Sequence, residues 1–186
     1  GGRRPRGDDP TDQMARALAA SRAGDHAAAL ALWEPLARAG HARAQNNIGA
    51  CFAEGIGVAR DPALARRWLE LAAAAGDPVG QRNLAALHFR GEGVPQDDER
   101  ALALYRQASE AGDAPAQDML SWMLLEEGRA EPVEARRWAE AAAAAGIAAA
   151  MTRLGMIFHD ALGVERDPAE AVTWWRRAAE AGDGDG

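Results

Sequence analysis

One spacing dominates this chain of 186 residues. Alanine-rich stretches close on a glycine at intervals of 36, 36, 34 and 36 residues. These glycines are Gly40, Gly76, Gly112, Gly146 and Gly182. A fixed period of roughly 20 to 50 residues is typical of repeat proteins, in which each unit buries its apolar face against its neighbours. The period therefore predicts an array of similar units.

Each period ends with a helix, called helix B, that begins at an acid and closes at the glycine. The acid stands fifteen residues before the glycine, at Asp25, Asp61, Asp97, Glu131 and Asp167. In three copies proline follows the acid, at Pro62, Pro132 and Pro168. An acid followed by proline is the N-cap and first-turn pattern of a helix, and glycine suits the left-handed position just beyond a helix end.

A second pattern precedes helix B and predicts helix A. A branched aliphatic lies eight residues after the glycine that opens each period, at Ile48, Leu84, Leu120 and Leu154. A small residue follows at once, at Gly49, Ala85, Ser121 and Gly155. Apolar residues at i and i+4 form the buried stripe of a helix, and the small residue lets helix B approach closely. Each period thus predicts a hairpin of helices A and B.

The loop between the two helices carries paired glycines or their equivalents. It reads Gly-x-Gly-Val at 55–58 and 91–94 and Ala-Leu-Gly-Val at 161–164. Glycine permits backbone angles that other residues avoid, and the valine can pack beneath the loop. The third full copy has lost two residues here, at 128–130, which explains its interval of 34.

The pattern A-Q-x-x-L-G, G-x-G-V, D, A-x-x-W and A-A-x-x-G, seen from Ala44 through Gly76, resembles the Sel-one-like repeat, a 36-residue relative of the tetratricopeptide repeat. The resemblance implies an all-α fold, a right-handed α/α superhelix or solenoid of about five hairpins and about ten helices. It covers residues 40–182, divided as 40–75, 76–111, 112–145 and 146–182. Residues 11–39 are interpreted as a divergent first hairpin, 1–10 as a disordered arm or a vector-derived remnant, and 183–186 as a tail.

Composition narrows the function. The formal charge of −7 argues against nucleic-acid binding, because neutralising phosphates requires a basic surface. No apolar run approaches the length of a transmembrane helix, so we expect a soluble chain in the cytoplasm or the periplasm. Cys51, the only cysteine, is expected to be a small buried hydrophobe.

No group of residues stands out for catalysis or metal binding. The recurring acids are explained as helix caps, and the four histidines never pair at metal-ligand spacing. His88 occupies a slot that holds Phe52 and Phe158 in sister repeats, which indicates a core or half-buried histidine. Trp68, Trp138 and Trp174 share one slot of helix B, which indicates packing between hairpins. The sequence therefore predicts no enzyme, no cofactor and no metal.

The resemblance implies that the A helices line a concave groove, the usual binding surface of such solenoids. The residues expected to contact a partner there are Asn46, Asn47, Arg82, Asn83, Phe89, Arg90, Met119, Trp122, Leu125, Arg153 and Met156. Asparagine amides can clamp a peptide backbone, arginines supply charge, and the large apolar side chains form a centre. The chain is thus predicted to be an interaction scaffold that binds a peptide or helix of another protein.

Three alternatives stay open at this point. Trp122 and Leu125 could be buried by the curl of the solenoid. The groove could be the active site of a peptide or cell-wall hydrolase. The chain could also be a structural module that associates weakly with itself, because residues 181–186 supply no polar helix to cap the last hairpin.

Overall fold

The computed structural model describes residues 9–126 and 128–183, of which Asp183 only by its backbone. These residues form ten helices and no strand, so the predicted all-α class and helix number are confirmed. The helices are α1 (Pro10–Arg22), α2 (His26–Arg38), α3 (Ala42–Glu54), α4 (Pro62–Ala74), α5 (Pro78–Arg90), α6 (Asp98–Glu110), α7 (Ala114–Leu125), α8 (Pro132–Ala144), α9 (Ala148–His159) and α10 (Pro168–Asp183). Odd-numbered helices are the A helices and even-numbered ones the B helices.

The first helix begins earlier than predicted. Asp9 is the N-cap of α1, where its carboxylate accepts a hydrogen bond from the Thr11 amide, and Pro10 is the first helical residue. Residues 9 and 10, the end of the predicted arm, therefore form the start of α1. Residues 1–8 of that arm, and residues 184–186 of the predicted tail, lie outside the described residues.

The chain divides into two compact units, and the division falls within α6, after Ala101. In unit 1, α1 packs on α2, α3 on α4, and α3 also contacts α5. In unit 2, α7 packs on α8, α9 on α10, and α7 also contacts α9. Each unit is therefore a stack of antiparallel hairpins in which successive A helices touch.

The recurring positions of the sequence form the core. Ile48, Leu84, Leu120 and Leu154 are buried, as the spacing predicts. Of the small residues after them, Gly49 and Gly155 lie against helix B of the same hairpin, at Leu69 of α4 and Trp175 of α10. A Cβ atom on Gly49 would lie 2.8 Å from Cγ of Leu69, too close for any side chain. Close packing of A on B therefore explains why these slots hold small residues.

Four of the five acids predicted as N-caps make a capping hydrogen bond. Their carboxylates each accept a hydrogen bond from the backbone amide three residues further on, at Asp25, Asp61, Asp97 and Asp167. Glu131 is the N-cap residue of α8, as predicted, but its side chain makes no capping hydrogen bond. Glutamate has one more methylene than aspartate, which makes it a poor capping residue, and Pro132 alone marks the helix start.

The closing glycines mostly behave as predicted. Gly40, Gly76, Gly112 and Gly146 all have φ near +90°, in the left-handed region. Gly182 was predicted to end the last helix in the same way, but it lies within α10, which continues to Asp183. Glycine permits the left-handed turn without requiring it. In the other four copies the chain turns directly into the next helix A.

The second glycine of each paired-glycine loop has a packing role. It lies against the start of the preceding helix B, where an added Cβ would meet His26 at Gly57, Pro62 at Gly93 and Pro132 at Gly163. The contact is tightest at Gly93, whose Cβ would lie 2.5 Å from the Pro62 carbonyl oxygen. The loop glycine therefore sets how closely one hairpin approaches the next.

The glutamine of the A-Q motif also joins neighbouring hairpins. Its side-chain amide donates to a carbonyl near the end of the preceding helix B, from Gln45 to Ala37 at 3.1 Å and from Gln117 to Ser109 at 3.1 Å. Gln81 repeats this bond to Ala73. These glutamines are buried, and the bond supplies their amides with a partner.

Candidate functional site

In unit 1 the predicted binding residues lie on α3 and α5 and are centred on three asparagines. The Asn83 side-chain amide donates to Oδ1 of Asn46 at 2.8 Å, and the Asn46 amide donates to Oδ1 of Asn47 at 3.1 Å. Asn46 is only 3% exposed, while Asn47 and Asn83 are half-buried. Asn46 therefore orients the two outer amides from beneath and does not face solvent itself.

The other predicted residues of unit 1 flank this series on α5. Arg82 and Phe89 are half-buried, and Arg90 is exposed at the end of the helix. The Phe89 carbonyl accepts a hydrogen bond from the Gln96 side chain at 3.1 Å, which ties the end of α5 to the following loop. The α5 face thus combines amide, aromatic and cationic groups.

In unit 2 four of the five predicted residues line one open pocket between α7 and α9, with a volume of about 420 Å³. These four are Trp122, Leu125, Arg153 and Met156. The remaining lining residues are Glu126, Ala149 and Thr152. Met119, the fifth predicted residue, is half-buried on α7 and does not line the pocket. We call this site the Trp122–Met156 pocket.

Two of the three large apolar side chains of this pocket are open to solvent. Trp122 is 36% exposed and Met156 is 38% exposed. Single exposed hydrophobes are common, but two that share one concave site are typical of a binding surface. Of the two residues that the alternative would bury, Trp122 is exposed and Leu125 is half-buried.

Arg153 forms one wall of the pocket. Its side chain is 13% exposed, and one of its guanidinium nitrogens donates to the Asp118 carboxylate and to Oγ of Ser121 at 3.0 Å. The same nitrogen reaches the Asp118 carbonyl at 3.3 Å. Arg153 therefore joins α9 to α7, and its charge is balanced by Asp118.

Two carboxylates that were not among the predicted contact residues lie at the helix ends of unit 2. Glu126 is the C-cap of α7 and Asp160 the C-cap of α9, and both are exposed. In repeat register they correspond to Glu54 and Arg90, the last residues of α3 and α5, so a charged residue recurs at this position. A carboxylate at the carboxyl end of a helix opposes the helix dipole.

Cys51 and His88 behave as structural side chains. Burial raises the pKa of the Cys51 thiol, which favours the neutral form in its apolar cluster. His88 is half-buried as predicted, and its pKa is lowered by burial and by the nearby Arg100. Across residues 9–126 and 128–183, no three or more histidine, cysteine or acidic side chains are grouped for metal binding.

The recurring tryptophans of helix B contribute to packing. Trp138 is buried, and Trp68 and Trp174 are half-buried beside the two core clusters. Trp175 and Val172 on α10 are exposed, although the Trp175 indole donates to the Thr152 carbonyl at 3.3 Å. Self-association through this last hairpin stays a prediction.

Among the described helices, none has both the length and the apolar character needed to cross a bilayer.

The sequence model of the Sel1 repeat matches this chain four times, at residues 42–77, 78–113, 114–147 and 148–183. The matches begin two residues after the boundaries predicted from the glycines.

Solved structures agree with this match. A Sel1 repeat protein from Oxalobacter formigenes is 28% identical, with a TM-score of 0.83 over 92% of this chain and 71% of that protein. A protective antigen of uropathogenic Escherichia coli with the SLR fold is 27% identical, with a TM-score of 0.80 over 95% of this chain and 39% of the antigen. A Klebsiella pneumoniae protein described as a Sel1 repeat protein is 21% identical, with a TM-score of 0.65, and shows the fold alone.

Helical repeats of this kind commonly serve as protein–protein interaction scaffolds and are typically not enzymes. Four matches in register cover most of the described residues, and the solved structures share the same hairpin arrangement. The chain belongs to the Sel1 repeat family.

Proposed function

We propose that this chain is an interaction scaffold that binds a peptide or helix of a partner protein on the faces of its A helices. The observation that carries the proposal is the Trp122–Met156 pocket, which unites Trp122, Leu125, Arg153 and Met156. Tryptophan and methionine are enriched in protein interfaces, and a buried aromatic anchor often supplies much of the binding energy.

The position of Trp122 in the repeat supports a role beyond folding. Its sister positions hold Ala50, Ala86 and Met156, whereas the positions that build the core repeat the same class of residue in every copy. A tryptophan is not required at this slot for a hairpin to pack. Partner binding gives a physical reason for a large, exposed aromatic here.

The asparagine series on α3 and α5 supports a second contact region in unit 1. Asn46 holds the amides of Asn47 and Asn83 in a fixed order. Side-chain amides carry both donors and acceptors, which match the alternating N–H and C=O groups of an extended peptide. We propose that this series binds partner backbone, while the pocket of unit 2 binds an apolar side chain.

A peptide-display library of random 12-residue sequences tests the proposal. Peptides selected on the wild-type chain are expected to bind Trp122→Ala about tenfold or more weakly, because the truncation removes the anchor of the pocket. The dissociation constants would be measured by fluorescence anisotropy. The thermal midpoint should fall by no more than a few degrees, since Trp122 is partly exposed.

Leu71→Ala is the matched control, because Leu71 is another exposed apolar residue but lies on α4, away from the pocket. It should leave peptide affinity unchanged. Equal affinity of the selected peptides for wild type and Trp122→Ala would rule the pocket out as the binding site.

A further inference from the structure

We infer that the partner segment is basic, with a lysine or arginine within one helical turn of the apolar side chain that enters the Trp122–Met156 pocket. The inference rests on the proposed function and specifies the chemistry of its partner. It follows from the charges of the described residues that line the pocket, among which the Glu126 carboxylate has no ion-pair partner.

Two ionisable side chains are among the residues that line the pocket, Glu126 and Arg153. Arg153 is largely buried and paired with Asp118, so this pair contributes no net charge at the surface. Glu126 is exposed at the pocket rim. The side chains therefore leave one carboxylate facing an incoming partner.

The helix ends at the pocket cancel each other. α7 ends at Leu125 and brings about half a negative charge, while the first turn of α9, at Ala149, brings about half a positive charge. The carboxylate of Glu126 remains. At the end of the neighbouring helix α9, Asp160 is hydrogen-bonded to His159 at 2.7 Å, and the Arg166 guanidinium donates to the His159 carbonyl at 3.3 Å, so a cation already lies at that helix end. The negative charge left at the pocket is therefore that of Glu126.

The placement of Glu126 is unfavourable for the isolated fold, because a carboxylate at the carboxyl end of α7 opposes the helix dipole. Local rules of helix stability tend to be broken where a surface serves binding. A cation supplied by the partner would offset this carboxylate.

The occupant that fits is a short segment in which an apolar side chain and a cation lie on one face. In a helix these would be residues three or four apart. The apolar side chain would contact Trp122 and Met156, and the cation would pair with Glu126.

Selections from the same 12-residue library on three proteins test this charge preference. Pools from wild type are expected to be enriched in lysine or arginine three or four positions from an apolar residue. Pools from Glu126→Lys should lose this enrichment. Pools from Glu165→Lys should keep it, because Glu165 is exposed in the α9–α10 loop outside the pocket and the change in net charge is the same.

Affinities are then measured for the peptide that binds the wild-type protein most tightly and for a variant of that peptide in which lysine is replaced by glutamate. The glutamate variant should bind wild type about three- to tenfold more weakly at low salt, as expected for an exposed ion pair turned into a repulsion. Glu126→Lys should reverse this order, and Glu126→Gln should bind both peptides nearly equally. Both Glu126 variants should keep the wild-type thermal midpoint within a few degrees, because residue 126 is exposed.

A wild-type pool without cationic enrichment, or an unchanged order of affinities in Glu126→Lys, overturns the inference. If the same peptides still depend on Trp122, the proposed function stands and only the charge preference fails. If they do not depend on Trp122, both fail.

Discussion

Replacing Leu84 with alanine is expected to lower the free energy of unfolding by about 2–5 kcal/mol. Leu84 lies at the aliphatic slot of α5 and is 1% exposed, so truncation leaves a cavity within unit 1. The cost combines the lost burial of apolar surface with the unfilled space. Urea denaturation followed by circular dichroism measures the change.

Leu71→Ala serves as the control, because Leu71 on α4 is 52% exposed and its truncation should change stability by about 0.5 kcal/mol or less. A loss of less than about 1 kcal/mol in the free energy of unfolding for Leu84→Ala would show that the recurring aliphatic residue contributes little to the stability of the core.

Gly93→Ala is the second change with a large expected effect, a loss of about 3 kcal/mol or more in the free energy of unfolding. Alanine at φ +71° is strained by about 1–2 kcal/mol. In addition, its Cβ would lie 2.5 Å from the Pro62 carbonyl oxygen, so the loop must move away from α4. Urea denaturation gives the total, and amide hydrogen exchange locates the disturbance at the loop.

Gly76→Ala separates the two contributions. Gly76 also has a left-handed φ, +86°, but an added Cβ would meet nothing within 4 Å. Gly76→Ala should therefore lower the free energy of unfolding by only about 1–2 kcal/mol, the cost of the strained φ angle. Equal losses at the two glycines would mean that the contact with Pro62 is unimportant.

The fold could be predicted in detail because each of its requirements recurs. The acid and proline begin helix B, the aliphatic fills the core and the glycine makes the turn. Because these positions recur in four copies in register, they can be recognised in the sequence. The structure differs from prediction at two residues whose behaviour was inferred only from their position in the repeat. Glu131 is too long to cap as aspartate does, and Gly182 does not turn because glycine permits several conformations.

The candidate site could be predicted only in part. Repeat register placed Trp122 and Met156 on the A-helix faces, and the structure brings them into one pocket. The pairing of Arg153 with Asp118 depends on how α9 lies against α7, which no local pattern encodes. The burial of Asn46 has the same origin, because it results from the approach of Asn83 on another helix.

Glu126 lies on the A-helix face by repeat register but was not among the residues predicted to contact a partner. Its sister positions hold Glu54, Arg90 and Asp160, so a charged residue recurs there and does not by itself mark a site. Positions that recur in kind account for folding, and we propose that positions that differ between copies, such as Trp122, form the surface offered to a partner.

An amide NMR titration with the library peptide that binds most tightly tests most directly whether the Trp122–Met156 pocket is the binding site. The largest chemical-shift changes are expected at residues 122–126 and 149–156, which surround the Trp122–Met156 pocket. Much smaller changes are expected on the B helices α8 and α10. The largest changes on α8 or α10, with residues 122–126 unaffected, would contradict the account.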